Sequence, residues 1–380
     1  MAEIENTPDL ISGDDLGANA LDHTAVADSF INVSVSDPTT ANDTRQGYVV
    51  GSLWVNSSSG EVFQAIGVTA EGAQWAGQEG EDVNISPAWQ GLSFGYETGG
   101  GNPAHSDEMS RWSLTAPYAV VDIGTLSDAM YSLGPAQAGS TCFLASGRIT
   151  PVTLRDEVAS FPASAPTTVS DVGNVNNSTA YAGNGWSATK GYLFSGNDGP
   201  GAGDTIQDYS LVAPYSANDV AEHGATDKEW PTSHDDDSYT YIAGGAPPGS
   251  GIDHIYRYQK GTSTPSSDIG ETAAAKYASC GCTDNTNSYG FISGGGAPEV
   301  NEISRFPFAS PTSGADVGEH AAPWMAYGAN RGVSSLTHGH VVARTTANAK
   351  ERYAFGSPAS GADIGEVAHG ASDDICCHSI

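Results

Sequence analysis

Six aspartates are the residues of this chain best placed to do chemistry: Asp122, Asp171, Asp219, Asp268, Asp316 and Asp363. Each is followed by Ile or Val and then by Gly, except that Ala221 replaces the Gly in the third copy. A set of carboxylates could bind divalent cations or carry acid–base catalysis. Catalysis, however, needs one asymmetric constellation, and six equivalent copies do not make one. An aspartate that accepts backbone N–H bonds beside a permissive glycine explains the triplet fully, so the expected role is structural.

Other candidates are weaker. Cys142, Cys280, Cys282, Cys376 and Cys377 are odd in number, with spacings of no disulfide scaffold. Cys280 lies 12 residues after Asp268 and Cys376 lies 13 after Asp363, which places the two pairs on equivalent strands of different units, not in one zinc site. His338 and His340 flank Gly339 in a strand, where packing is the ordinary role. The run His234-Asp235-Asp236-Asp237-Ser238 is the best local cation candidate, yet its acids are contiguous, whereas calcium loops space ligands at alternate positions. Gly-Gly pairs lack the helix and lysine of a phosphate loop and suit close backbone approach instead. Arg111, Arg257, Arg305 and Arg352 are expected to pair with acids or to stack on aromatic rings. No nucleophile–base or paired-carboxylate arrangement stands out. The chain is therefore expected to be no enzyme and to hold no cofactor, with calcium the one ion its acids leave open.

The elements that position these residues repeat. Ten residues before each aspartate stands an aromatic: Trp112, Phe161, Tyr209, Tyr258, Phe306 and Tyr353. Successive aspartates are 47 to 49 residues apart, and a second column of Tyr96, Phe143, Tyr192, Tyr241, Phe291 and His340 recurs at 47 to 50. Periods of this length signal a repeat architecture. The clearest unit reads as an apolar strand ending in paired glycine (Tyr289–Gly295), a loop, an alternating strand (Val300–Phe308), a turn-rich passage carrying Asp316, and two weaker strands before His338. Four strands in some 48 residues is an all-β repeat, and stacking such sheets in a closed circle buries both faces of each. The segment Ile375–Ile380 is expected to pair beside residues 92–100 and so complete the first sheet.

Three regions follow: an extended anchoring arm over 1–45, with a strand within Ser29–Val35; a small β module and linker over 46–88, with strands at 48–55, 61–66 and 73–75; and six sheets over 89–380. The 380 residues carry 45 acids against 14 bases, a net charge of −31. Nucleic acid and anionic membranes are poor partners for such a surface. No apolar run of 18 residues suggests membrane insertion, and the N-terminus lacks a basic, apolar leader.

The strands ending in Gly-Gly (Tyr241–Gly245, Phe291–Gly295), followed by Arg257-Tyr258, Arg305-Phe306 and Arg352-Tyr353, resemble kelch repeats, although the kelch tryptophan is absent. More specifically, Phe306–Ser310, Ala315–Gly318 and Thr337–Gly339 resemble propeller-like repeats in structural proteins of tailed phages, notably marine phages and cyanophages. Gly47–Asn56 with Glu61–Phe63 resembles a short module of phage tail fibres and appendages. The resemblance implies a six-bladed kelch-like β-propeller with a small N-terminal β module and arm. It implies a virion structural protein, most readily a tail fibre or a neck or tail appendage, less readily a head decoration. Residues 1–88 would bind other virion proteins, the propeller loops would face a host-surface glycan, and the assembly would be a homo-oligomer. The competing expectations are a lectin-like or sialidase-like propeller, from which the missing aromatic after each Asp-x-Gly departs, and a cellular kelch-type scaffold.

Overall fold

The computed structural model describes residues 31–34, 36–40, 42, 48–56, 62–68, 72–77, 82–83, 94–100, 106–139, 141–149, 153–163, 169–196, 204–224, 229–246, 251–296, 300–310, 314–324, 332–342, 349–366 and 376–379. Among them every regular element is a strand, so the chain is all-β. It divides into two compact units, Met1–Ser86 and Pro87–Ile380.

The first unit is one sheet in the order β1 (Ile31–Ser34), β2 (Leu53–Asn56), β3 (Val62–Val68), β4 (Ala73–Gly77), β5 (Asp82–Val83). β1 runs parallel to β2, with Ile31 opposite Leu53. Part of the expected arm is thus a strand of the module, tied further by Trp54 Nε1 donating to the Ser36 carbonyl (2.8 Å) and by Asn56 to Asp37 (2.7 Å). Residues 1–30 of that arm lie outside the described residues. The strand expected over 48–55 begins only at Leu53, because Gly51 has φ of 96° and the Ser52 amide bonds back to the Val49 carbonyl. Tyr48, Trp54, Phe63 and Trp75 form its core, with Tyr48 and Trp75 edge-on at 5.2 Å.

Among the described residues, the strands of the second unit pair into four-stranded sets, or meanders, two of which share one eight-stranded sheet. The first is β6 (Phe94–Thr98), β7 (Glu108–Ser113) and β8 (Val120–Thr125), completed by β30 (Cys376–Ser379). β30 pairs antiparallel with β6, Cys376 opposite Thr98 and Ser379 opposite Gly95, where the C-terminal segment was expected. After the short β9 (Met130–Tyr131), the second is β10 (Gly134–Ala138), β11 (Thr141–Ile149), β12 (Thr153–Pro162) and β13 (Ser170–Asn174). The third is β14 (Gly183–Trp186), β15 (Lys190–Phe194), β16 (Thr205–Ser210) and β17 (Ala217–Glu222). The fourth is β18 (Thr232–Asp235), β19 (Tyr239–Ala243), β20 (Ile252–Gln259) and β21 (Ser267–Lys276). The fifth, β22 (Cys280–Asp284), β23 (Tyr289–Ser293), β24 (Val300–Pro307) and β25 (Ala315–Trp324), joins the sixth, β26 (Gly332–Ser334), β27 (His338–Val342), β28 (Ala349–Ala354) and β29 (Ser357–Glu366). One parallel bridge, Glu319 to Ser360, makes these two a single eight-stranded sheet, nearly closed because β22 also lies against β26. First strands meet in order: β10 touches β14, β14 touches β18, β18 touches β22, β22 touches β26, β26 touches β30, and β30 touches β10.

Both sequence columns are core: each of their residues is at most 2% exposed. They pack between sheets, because a second-strand ring of one meander meets the third-strand ring of the next. Ring centroids are 5.8 Å apart for Tyr96–Phe161, 5.6 Å for Tyr192–Tyr258, 6.1 Å for Tyr241–Phe306 and 5.6 Å for Phe291–Tyr353. Phe143 and Tyr209 share a cluster in the same way. Beside each ring pair lies an aliphatic pair: Met109 with Leu144, Val158 with Leu193, Ile206 with Ile242, Ile255 with Ile292, and Ile303 with Val341.

Candidate functional site

All six aspartates lie on the fourth strands of their meanders, with exposed side chains and no two on one sheet in register. The passage read as a turn before Asp316 is therefore strand at the triplet itself. Ser304 faces Asp316 and Ile303 faces Gly318, leaving Val317 as the extra residue of a β-bulge. The same shift recurs opposite the other five triplets. A bulge disrupts the ladder and frees an amide. The carboxylate takes that amide: Oδ1 accepts from the N–H two residues on in Asp122 (3.0 Å), Asp171 (3.1 Å), Asp268 (3.2 Å), Asp316 (3.2 Å) and Asp363 (2.8 Å). The glycine has two uses: Gly124 has φ of 135°, whereas a Cβ on Gly318 would strike the Pro358 carbonyl. Where Ala221 replaces Gly, Asp219 instead accepts from Asn177 Nδ2 at 3.2 Å. Each aspartate thus terminates a local ladder defect. Asp316→Ala is expected to lower unfolding free energy by about 0.5–1.5 kcal/mol, as for one net hydrogen bond, in urea titration; a larger loss would mean a further role.

The acidic run after His234 is internally committed. Asp235 is buried and lies 3.0 Å from Lys260 Nζ, with Thr240 Oγ1 donating at 2.6 Å. Burial pushes its carboxyl up to about 6, and the Lys260 ammonium opposes this. Asp236 accepts from the Ser238 and Tyr239 amides and from the Tyr241 hydroxyl (2.9 Å). His234 is held down to about 4 by burial, so it is neutral near pH 7 and can donate from Nδ1 to the Cys282 carbonyl at 3.0 Å. Among the described residues no group of three or more His, Cys, Asp or Glu could hold a metal. Cys142, Cys280 and Cys282 are buried, and burial pushes the Cys282 thiol up to about 11. The arginines take the aromatic option: Arg111 lies 4.5 Å over Phe94, Arg257 4.7 Å over Tyr239, Arg305 4.5 Å over Tyr289 and Arg352 5.0 Å over Tyr118. The Gly-Gly pairs hold close approaches, since a Cβ on Gly244 (φ 67°) would come within 2.6 Å of the Lys276 carbonyl oxygen. The loops after Gly147, Gly196 and Gly245 fall largely outside the described residues.

One arrangement escaped the sequence reading. Tyr131, Tyr181, Trp230 and Tyr277 precede the first strands of consecutive meanders and form an arc, with ring centroids 6.3, 5.0 and 6.1 Å apart in turn. Main-chain bonds link it, from Trp230 N to the Tyr181 carbonyl and from Ala278 N to the Trp230 carbonyl, both 3.0 Å. Arg148 extends over the Tyr131 ring at 6.0 Å and donates to the Tyr181 hydroxyl at 3.3 Å. Tyr181, Trp230 and Tyr277 are partly exposed. Their separations of 50, 49 and 47 residues carry the repeat period and would have revealed the arc. Chemically, it offers ring faces and edges beside a guanidinium, a surface suited to stacking on an apolar or sugar face.

No protein-family model matches the chain, and no curated protein matches it significantly. No helix among the described residues is long and apolar enough to cross a membrane.

Proposed function

We propose that residues 89–380 are a six-bladed kelch-like β-propeller and that the chain is a non-enzymatic structural protein of a phage particle, a tail fibre or a neck or tail appendage. The observation that carries this reading is the order of first-strand contacts from β10 through β14, β18, β22 and β26 to β30 and back, with equivalent ring and aliphatic side chains at five of the junctions. A propeller of near-identical sheets is a rigid disc, and the separate compact unit Met1–Ser86 supplies a means of attachment to other virion proteins. The net charge of −31 disfavours a nucleic-acid role. Full-length chain added to particles lacking it should sediment with them, whereas 87–380 alone should fold and remain in the supernatant. Failure of the full-length chain to associate would end the virion reading.

The aromatic arc favours a second element, contact with a host-surface glycan. Sugars stack on aromatic faces, and aromatic anchors dominate such interfaces. Trp230→Ala is expected to reduce binding on a glycan array by at least about tenfold, the scale of one lost anchor. Equal binding by the variant would exclude the arc.

A further inference from the structure

The junction between the sixth and first meanders breaks the aliphatic rule of the other five. Its two equivalent positions are Lys350, three residues before Tyr353, and Glu97, one after Tyr96. Both are buried, at 1% and 0% exposure. Lys350 belongs to β28, yet its ammonium lies against the first meander, 5.5 Å from the Trp112 ring centroid and 3.4 Å from the Tyr118 carbonyl. Glu97 accepts from Ser110 Oγ at 3.2 Å, and its other oxygen has no hydrogen-bond partner among the described residues. Burial raises the Glu97 carboxyl to about 7, and the Lys350 charge opposes that rise. Trp112, Leu114, Val333 and Val342 form an apolar cluster at the same junction, and His340 is buried in the column position opposite Trp112.

We propose that Glu97 and Lys350 form a charge-paired latch by which the last sheet recognises the first, fixing which two sheets meet when the chain closes. The five aliphatic pairs are chemically alike, so by themselves they distinguish poorly between one neighbouring sheet and another. A lysine pressed against Leu or Ile, or a glutamate against Ile, is a buried unpaired charge and is strongly disfavoured. The pair thus acts against misclosure, as polar residues in apolar seams fix register elsewhere, at some expense of stability. It sits where such a device is needed, because here β28, late in the sequence, meets the first meander at Trp112 and Tyr118. The latch rests on the six-sheet ring but not on any role in a virion.

The test uses the full chain with Glu97→Leu, Lys350→Ile and the double variant. Each is refolded from urea at several concentrations, then examined by thermal unfolding and light scattering. Each single variant should lower the thermal midpoint by roughly 10 °C, as expected for stranding one buried charge. The double variant should recover most of that loss yet leave a larger multimeric fraction after refolding than the parent chain. Single effects that simply add in the double, with a native circular dichroism spectrum, would overturn the latch and leave the ring standing. If the single variants do not fold, the double decides alone: refolding as cleanly as the parent overturns the proposal, and a raised multimer fraction supports it.

Discussion

Phe306→Ala is expected to lower the unfolding free energy of Pro87–Ile380 by about 3–5 kcal/mol, the range for emptying a large aromatic site in a core. The ring is fully buried and lies between sheets, 6.1 Å from Tyr241 and 5.1 Å from the edge-on His234 of the preceding meander, and 5.8 Å from Phe308 of its own. Gly290 lies beneath it, where a Cβ would come within 2.5 Å of the ring, so the ring packs directly on the backbone. Stability here comes from sheet stacked on sheet, since a single meander of four short strands buries too little by itself. The comparison that isolates this is Asp316→Ala on the adjacent strand, which removes one exposed hydrogen bond. Urea unfolding should separate the two by at least about 1.5 kcal/mol, the gap between these two classes of change. Equal losses would show that the ring columns do not hold the sheets together.

Acid sensitivity should depend on His340. It occupies the column filled elsewhere by Tyr or Phe, is buried, and neither ring nitrogen has a hydrogen-bond partner among the described residues. Burial, then the positive charges of His338, Arg352 and Lys350, hold it down to about 3 from an ordinary 6.5. The folded chain therefore binds fewer protons at this site than the unfolded chain between about pH 3 and 6.5. The stability it permits is complete above pH 6.5 and is lost as pH falls through that window, by about 1.4 kcal/mol per pH unit. His340→Phe removes this dependence. Glu97 acts in the opposite sense, because its carboxyl is raised to about 7 and the folded chain holds an extra proton between about pH 4.5 and 7. That contribution is common to parent and variant and cancels in the comparison. The measurement is unfolding free energy from pH 4.5 to 7.5 for both chains. The difference should widen by about 1.4 kcal/mol per unit below pH 6, and parallel curves would show that the histidine is not held neutral. The slope is the readout, since the offset also contains the fit of a larger ring.

The period was enough to find the repeat, the strand class and the core. Phe306 and Phe291 recur because each unit must present an apolar ring at the same point of the same strand, and spacing along one chain records that directly. The closing strand was legible for a related reason: a unit that begins on its second strand needs the first from elsewhere, and β30 pairs with β6. Five of the six aspartates accept a backbone N–H, and they do so at bulges within strands that sequence did not reveal. Alternation locates a strand, whereas a bulge is a mismatch between two strands and is absent from either sequence alone.

What sequence alone could determine was the repeat period, the strand content, the buried columns and the acidic charge, because each is written in residue type and spacing within about 48 residues. Tertiary structure decided which columns face each other. It joined Tyr131 to Tyr277 through two intervening rings, seated Lys350 on a sheet 232 residues earlier at Tyr118, and committed Asp235 to Lys260. Such pairings arise only when separate sheets stack, and it is desolvation at the resulting junctions that turns an ordinary Lys, Glu or His into a group with a distinct energetic role.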